Sequence, residues 1–125
     1  MAESAPDSVA DLPAREYRAA QKAVEADQID LAWHHLERAH ILAQTRLWAH
    51  CLSHWKMLSL AVGQRDLREV AGQVFRLILA PIGNVTGRLP LGNTGRANVS
   101  AFAEIPYPDD LAEALVHSDK TGGGV

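Results

Sequence analysis

The sequence lacks most of the features that mark specialised classes of protein. Its single cysteine, Cys51, cannot form an internal disulfide. It contains no apolar run of about 18 residues, the length that a membrane-spanning helix needs, so we expect no membrane partner. The first residues lack the basic and apolar regions of a secretory signal. Together these absences predict a cytoplasmic protein.

The sequence also has little net charge. A formal net charge of −3 gives no general attraction to nucleic acid, so we expect no nucleic-acid partner. Hydrophobic residues make up 47% of the 125 residues, a content typical of one globular domain with a modest core. We predict a single helical domain over residues 11–117, between a disordered N-terminus (1–10) and a disordered tail (118–125).

Strong helix formers fill most of the first eighty residues, and short turn signals interrupt them. Breaks follow at Asp27, Thr45 and Gly63, and Pro81 ends the last of these patterns. The predicted helices span residues 12–26, 29–44, 46–62 and 65–80, with a final short helix over 109–116.

Short connections between four helices favour an all-α, antiparallel four-helix bundle of helical hairpins. The first two helices are rich in alanine and resemble a tetratricopeptide-like hairpin at most, since no second copy follows at a period of about 34 residues. The segment after Pro81 is rich in glycine and proline and is too long for an ordinary connector. We predict that this long irregular C-terminal segment wraps the bundle.

Two short motifs carry the strongest chemical signal. Glu37 and His40 form E-x-x-H on the second helix, and His50 and His54 form H-x-x-x-H on the third. Either spacing puts two side chains on one face of a helix. If the helices fold back at the turn near Thr45, His40 faces His50 at about the same height, and Glu37 faces His54 a turn further away.

Three imidazoles and a carboxylate suit a transition metal, so we predict one metal ion held by Glu37, His40, His50 and His54. Zinc or copper fits best, and iron or nickel is also compatible with these ligands. With Glu37 released from the metal, three histidines leave an open coordination position, and Glu37 becomes a candidate general base. The alternative is that the histidines are ordinary hydrogen-bonded side chains and that Glu37 pairs with a nearby cation.

The fourth helix and the glycine-rich segment offer weaker signals. We expect the helix to turn its apolar side chains to the core and its charged ones to solvent, and Asp66 or Gln73 to be minor candidates for bonding a ligand histidine. In LGNTGRANVS, backbone amides beside Asn93 and the guanidinium of Arg96 are candidate contacts for a small anionic ligand. The alternative is that Asn93 and Arg96 tie this segment to helix ends.

These signals leave two classes of function open. The first is a transition-metal-binding helical protein, acting in metal handling or in a metal-dependent reaction on a small substrate. The second is a metal-free helical interaction module that binds a partner helix or peptide, for which an exposed patch of Trp48, Leu52 and Trp55 would be the sign. The sequence does not decide whether the protein is an enzyme, and a homo-oligomer stays open.

Several stretches also resemble a known family when they are taken together. These are HLERAHILAQ, the H-x-x-x-H-x-K-M-L stretch, RDLREVAGQVFRL and GRLPLGNTGRANVSAF, and the likeness runs from about Tyr17 to Leu111. In this combination the chain resembles a small bacterial family catalogued as a domain of unknown function. The resemblance implies a compact helical protein and brings no activity with it.

Overall fold

The computed structural model describes residues 11–88, 93–97 and 103–121, without the side chains of residues 117–121. The predicted disorder of residues 1–10 and 122–125 falls outside these ranges. The described part confirms the all-α fold class. Its helices are α1 (Leu12–Glu25), α2 (Ile29–Ala43), α3 (Leu47–Gly63), α4 (Leu67–Thr86) and α5 (Asp109–Thr121).

The helices pair into two antiparallel hairpins. α1 packs against α2, α3 packs against α4, and the two hairpins meet where α2 contacts α3. α5 lies on α2, with Leu111 packed against Ile41 and Leu42. Within the described ranges α1 and α4 make no packing contact, so α2 and α3 form the middle of the bundle.

The first hairpin buries its apolar stripe, as its sequence predicts. Ala20 from α1, with Trp33 and Leu36 from α2, joins Met57 and Ala61 from α3 in one hydrophobic cluster. Alanine at the crossings lets the helix backbones approach closely, while the larger side chains fill the remaining volume. This cluster holds α3 against the first hairpin and so fixes where the histidines of α3 lie.

Both hairpins turn in the same way. Asp27 and Arg65 have φ of 57°, in the left-handed region. Each directly precedes the residue whose amide donates back to the helix before the turn. The amide of Gln28 donates to the carbonyl of Ala23, and the amide of Asp66 donates to the carbonyl of Ala61. These bonds satisfy carbonyls at the ends of α1 and α3. The common turn shows a structural repeat that the sequence does not reveal.

Two helices are longer than their sequences predict. α4 does not end at Pro81 but continues to Thr86 and stops at Gly87, which has φ of 72°. Proline removes one hydrogen bond from a helix interior, but Asn84 fastens the last turn, since its Nδ2 donates to the carbonyl of Gln44 at 3.1 Å. α5 runs to Thr121 and so includes the first residues of the predicted tail.

The second hairpin is turned inside out relative to our expectation. α4 buries Glu69 and Arg76, which we expected on its polar outer side, together with Gln73, which we expected at the edge of its apolar face. Most large apolar side chains of α4 face solvent instead, with Leu67 80% exposed and Ile78 63% exposed, while Val70 packs against the hydrophobic cluster. Gln73 and Glu69 are stable there because they meet hydrogen-bonding partners on α3 and on residues 93–97. The periodicity of the sequence therefore separated the apolar and polar faces of α4 correctly, but the prediction of which face is buried was wrong.

Candidate metal centre

Three imidazole rings from two helices converge at one point inside the bundle. His40 comes from the end of α2, and His50 and His54 lie one turn apart on α3. The three distances between their Nε2 atoms are each 3.2 Å. The side chains are buried, with exposed fractions of 2%, 5% and 3%. Three buried histidines this close together can hold a metal ion.

The opposite nitrogen of each ring is engaged by an oxygen from elsewhere in the fold. Nδ1 of His40 lies 2.7 Å from the carbonyl oxygen of Asn93. Nδ1 of His50 lies 2.7 Å from Oδ1 of Asn84, and Nδ1 of His54 lies 2.8 Å from Oε1 of Gln73. These contacts fix the orientation of all three rings.

The hydrogen bonds also determine which nitrogen carries the proton. Asn84 and Gln73 use their amide nitrogens to donate to carbonyl or carboxylate oxygens, so their amide oxygens must face the histidines. A carbonyl oxygen can only accept, so each Nδ1 donates a proton to it. In a neutral ring Nε2 is then an unprotonated acceptor. Three lone pairs therefore point at one another, an arrangement that a cation between them stabilises.

The spacing of the Nε2 atoms matches a metal ion of ordinary size. A point about 2.0–2.1 Å from all three atoms, the usual zinc–nitrogen distance, lies roughly 0.8–1.0 Å outside their plane. The angles between ligands at that point are about 100–106°, close to tetrahedral. The three rings therefore supply three corners of a tetrahedron without any movement of the backbone.

Burial keeps these rings neutral. It lowers the pKa of His54 from its ordinary value of 6.5 to about 4, although the bond to Gln73 opposes the shift. Burial likewise lowers the pKa of His50 and lowers that of His40 well below the ordinary value, with the neighbouring rings adding to the shift at His40. Neutral imidazole is the form that binds a metal. Near neutral pH the three rings are therefore in the protonation state that can bind a metal.

A tight loop closes the centre over His40. Gly95 has φ of 82°, and a Cβ atom added there would lie 2.8 Å from the His40 ring. Oδ1 of Asn93 accepts from the Gly95 amide at 2.9 Å, which holds the loop in its turn. Gly72 plays a similar part on α4, since a Cβ atom there would collide with Ala97. Glycine at both positions lets residues 93–97 lie directly on the histidine and on α4.

Glu37, the fourth predicted ligand, lies outside the cluster of possible ligands. Its Oε1 is 3.4 Å from Nη1 of Arg96 instead. Burial raises the pKa of Glu37, and the charge and hydrogen bond of Arg96 oppose that shift. The E-x-x-H spacing placed Glu37 on the same side of α2 as His40, but the neighbouring cation holds its carboxylate.

A chain of polar contacts connects Arg96 to the centre. Nε of Arg96 donates to Oε1 of Glu69 at 3.0 Å, and Nε2 of Gln73 donates to the same oxygen at 3.0 Å. Gln73 in turn orients His54 through its own oxygen. Arg96 also stacks on Trp33, with its central carbon 3.9 Å from the ring centroid. The charges of Arg96, Glu37 and Glu69 are therefore paired with one another and not with the histidines.

The predicted anion contacts are engaged within the chain. Nδ2 of Asn93 donates to the carbonyl of Ala103 at 2.8 Å, and Arg96 is shared by two carboxylates. These contacts correspond to the alternative interpretation, in which both residues tie the irregular segment to the bundle. Anion binding at Asn93 and Arg96 stays a prediction that the contacts do not favour.

Sequence reasoning missed one of the residues that support the centre. Asn84 lies beyond the predicted end of α4, although Ile82 and Val85 continue the apolar spacing of that helix and could have shown that it goes on. The Asn93 carbonyl carries no signal in the sequence, because any residue has one. Gln73 was a minor candidate, and the structure places it on His54.

A second feature, an apolar surface, covers the outside of the second hairpin. The predicted patch on α3 is exposed, at 81% for Trp48, 45% for Leu52 and 57% for Trp55. None of the helices in the described ranges combines the length and the apolar character needed to cross a membrane.

Comparison with known proteins gives one family. No curated protein and no solved structure matches the chain. A family model, described as a protein of unknown function (DUF3703), matches residues 7–115. This agrees with the expected domain of unknown function, whose distinctive stretches all lie inside the matched range. Because the model covers most of its length, the chain belongs to the DUF3703 family.

Proposed function

We propose that the protein binds one transition-metal ion, zinc or copper, through the Nε2 atoms of His40, His50 and His54. The convergence of three unprotonated nitrogens at 3.2 Å from one another carries this proposal. Without a cation, three acceptors in a buried site face each other with no donor among them, which is unfavourable. Each ring is also oriented by an oxygen on its other nitrogen, the arrangement that metal-binding histidines use.

The ligand set favours zinc or copper over other metals. Three neutral imidazoles without a carboxylate are poor ligands for the hard cations magnesium and calcium. The near-tetrahedral angles suit zinc, which has no geometric preference of its own and is commonly four-coordinate. Imidazole also suits copper, iron and nickel, and of all these divalent ions, zinc included, copper binds nitrogen ligands most tightly.

Three ligands leave a fourth coordination position on such an ion. The two proposed functions differ in how they use that position. Metal handling needs only binding and release, whereas a metal-dependent reaction places a water or a small substrate there. We favour handling, because Glu37, the candidate general base, is held by Arg96. Metal-dependent chemistry on a small substrate is the second use, and the open position supports it.

The test is metal content measured on purified protein and on a pair of variants. We expect about one equivalent per chain in the unchanged protein and a fall in melting temperature when a chelator removes it. The double variant His50→Ala with His54→Ala should lose the metal. His34→Ala is the matched control, because His34 is exposed on α2 and lies outside the cluster. Full metal occupancy in the double variant would overturn the proposal.

A further inference from the structure

The exposed apolar side chains are concentrated on one hairpin. The structure describes ten large hydrophobic side chains on α3 and α4 that are at least 42% exposed, against three on the other helices. On α3 and α4 they are Trp48, Leu52, Trp55, Val62, Leu67, Val74, Phe75, Ile78, Ile82 and Val85. Scattered exposed apolar residues are ordinary, but a concentration of this kind marks an interaction site.

These side chains form one stripe on each helix. At 100° per residue, the members on α3 fall within an arc of about 80°, and those on α4 fall within about 100°. The buried residues of both helices, among them His54 and Gln73, lie on the opposite side. Because α3 and α4 pack side by side, the two stripes form a single apolar face, which we call the outer face.

The outer face is large enough to support a stable dimer. α3 and α4 contain 17 and 20 residues, so the face is about 25–30 Å long. Its ten side chains offer on the order of 1,000 Å² of accessible area, whereas a standard interface takes about 800 Å² from each partner. A pair of antiparallel helices with this apolar face has the form of one half of a four-helix bundle.

Charge also favours a second copy on this face. No Asp, Glu, Lys or Arg lies within either stripe. Lys56, at the edge of the α3 stripe, turns towards α1 and places its ammonium 5.2 Å from the centre of the Tyr17 ring. Two identical chains bring identical charges together across a two-fold axis, so a face without charges is the one that meets its own copy without repulsion.

We propose that the outer face binds a second copy of this chain, so that α3 and α4 of two protomers form a four-helix core around a two-fold axis. Each protomer keeps its own histidine cluster, because His50 and His54 lie on the side of α3 away from the interface. The pairing does not depend on metal binding, and the two proposals can fail separately.

The experiment is sedimentation of the full chain at micromolar concentration, with a chelator and with zinc. We expect the mass of a dimer in both cases. The variants Trp48→Ser and Ile78→Lys disrupt the two stripes separately, and each should raise the dissociation constant at least about tenfold. Leu31→Lys is the control, because Leu31 is a 43% exposed leucine on α2, outside the face. It should leave the dimer intact.

Circular dichroism shows whether each variant keeps its helices, and two variants on separate helices guard against one that does not fold. A monomer in the unchanged protein at micromolar concentration would overturn the proposal. So would a dimer that both stripe variants leave unchanged. Binding of the monomeric chain to phosphatidylcholine vesicles would assign the face to a lipid surface instead and would equally contradict the proposal.

Discussion

The two hairpins have the same turn geometry, but they differ in which side of each helix they bury. The first hairpin buries alanine, Trp33 and Leu36 and so follows the usual rule for amphipathic helices. The second buries histidines, Gln73 and Glu69 and exposes its apolar stripes. The difference teaches that a polar helix face is buried when its groups satisfy one another, and that the apolar face left outside then becomes available for a partner.

The largest expected contrast between the hairpins is in core stability. Leu36→Ala should destabilise the protein by about 2–5 kcal/mol, because Leu36 is 5% exposed and packs in the main hydrophobic cluster. Leu67→Ala should change the free energy of unfolding by less than about 0.5 kcal/mol, because Leu67 is 80% exposed. Urea unfolding of dilute, monomeric protein measures both. Equal losses of unfolding free energy in the two variants would contradict the contrast between the hairpins.

The buried histidines of the second hairpin should make the stability of the metal-free protein depend on pH. The pKa of His54 falls from 6.5 to about 4 on folding, so its contribution is complete above about pH 6.5 and is lost as the pH falls towards 4. That shift corresponds to about 3 kcal/mol. Urea unfolding of the protein in the presence of a chelator, repeated between neutral and acidic pH, measures this loss of stability.

The matched variant for this pH dependence is His54→Gln, which should make the loss of stability over that window smaller, while His40 and His50, whose pKa values are also lowered by burial, keep the remainder. His34→Gln should leave the profile unchanged, because His34 is exposed on α2. A stability that stays constant down to pH 4 would show that His54 accepts a proton in the folded protein without penalty.

The next largest effect should come from the hydrogen bonds that the Nδ1 atoms of the histidines make, because these bonds orient the rings. Gln73→Leu keeps a similar volume but removes the oxygen that orients His54 and the donor to Glu69. We expect a loss of metal affinity of about 10–100-fold, as for other groups that orient metal-binding histidines. Competition with a coloured chelator measures the affinity. Gln21→Leu, an exposed position on α1, is the control and should not change it.

The smallest effect concerns the shared turn. Arg65 and Asp27 both have φ of 57°, but arginine tolerates the left-handed region less well than aspartate. Arg65→Gly should therefore raise the free energy of unfolding by about 1 kcal/mol, and Asp27→Gly should raise it by less. Thermal unfolding compares the two. A larger gain at Asp27 would mean that the turns are not equivalent.

Much of the fold could be predicted from local signals. Turn residues at Asp27 and Gly63 divided the chain into the helices that the structure shows, and the H-x-x-x-H spacing placed His50 and His54 on one side of α3. The end of α4 was predicted too early, because a proline usually stops a helix and the bond that holds Asn84 comes from the end of α2. The role of Glu37 likewise depended on Arg96, which is distant in the sequence.

By itself the sequence determined the helices, their hairpin connections and the presence of three histidines at compatible heights, since all of these follow from short-range periodicity. Only the tertiary structure decided which face of α4 lies inside. Periodicity divides a helix into two faces, but the free energy of burying a polar face depends on partners supplied by other helices and by residues 93–97. Those partners are far away in the chain and meet only when it folds.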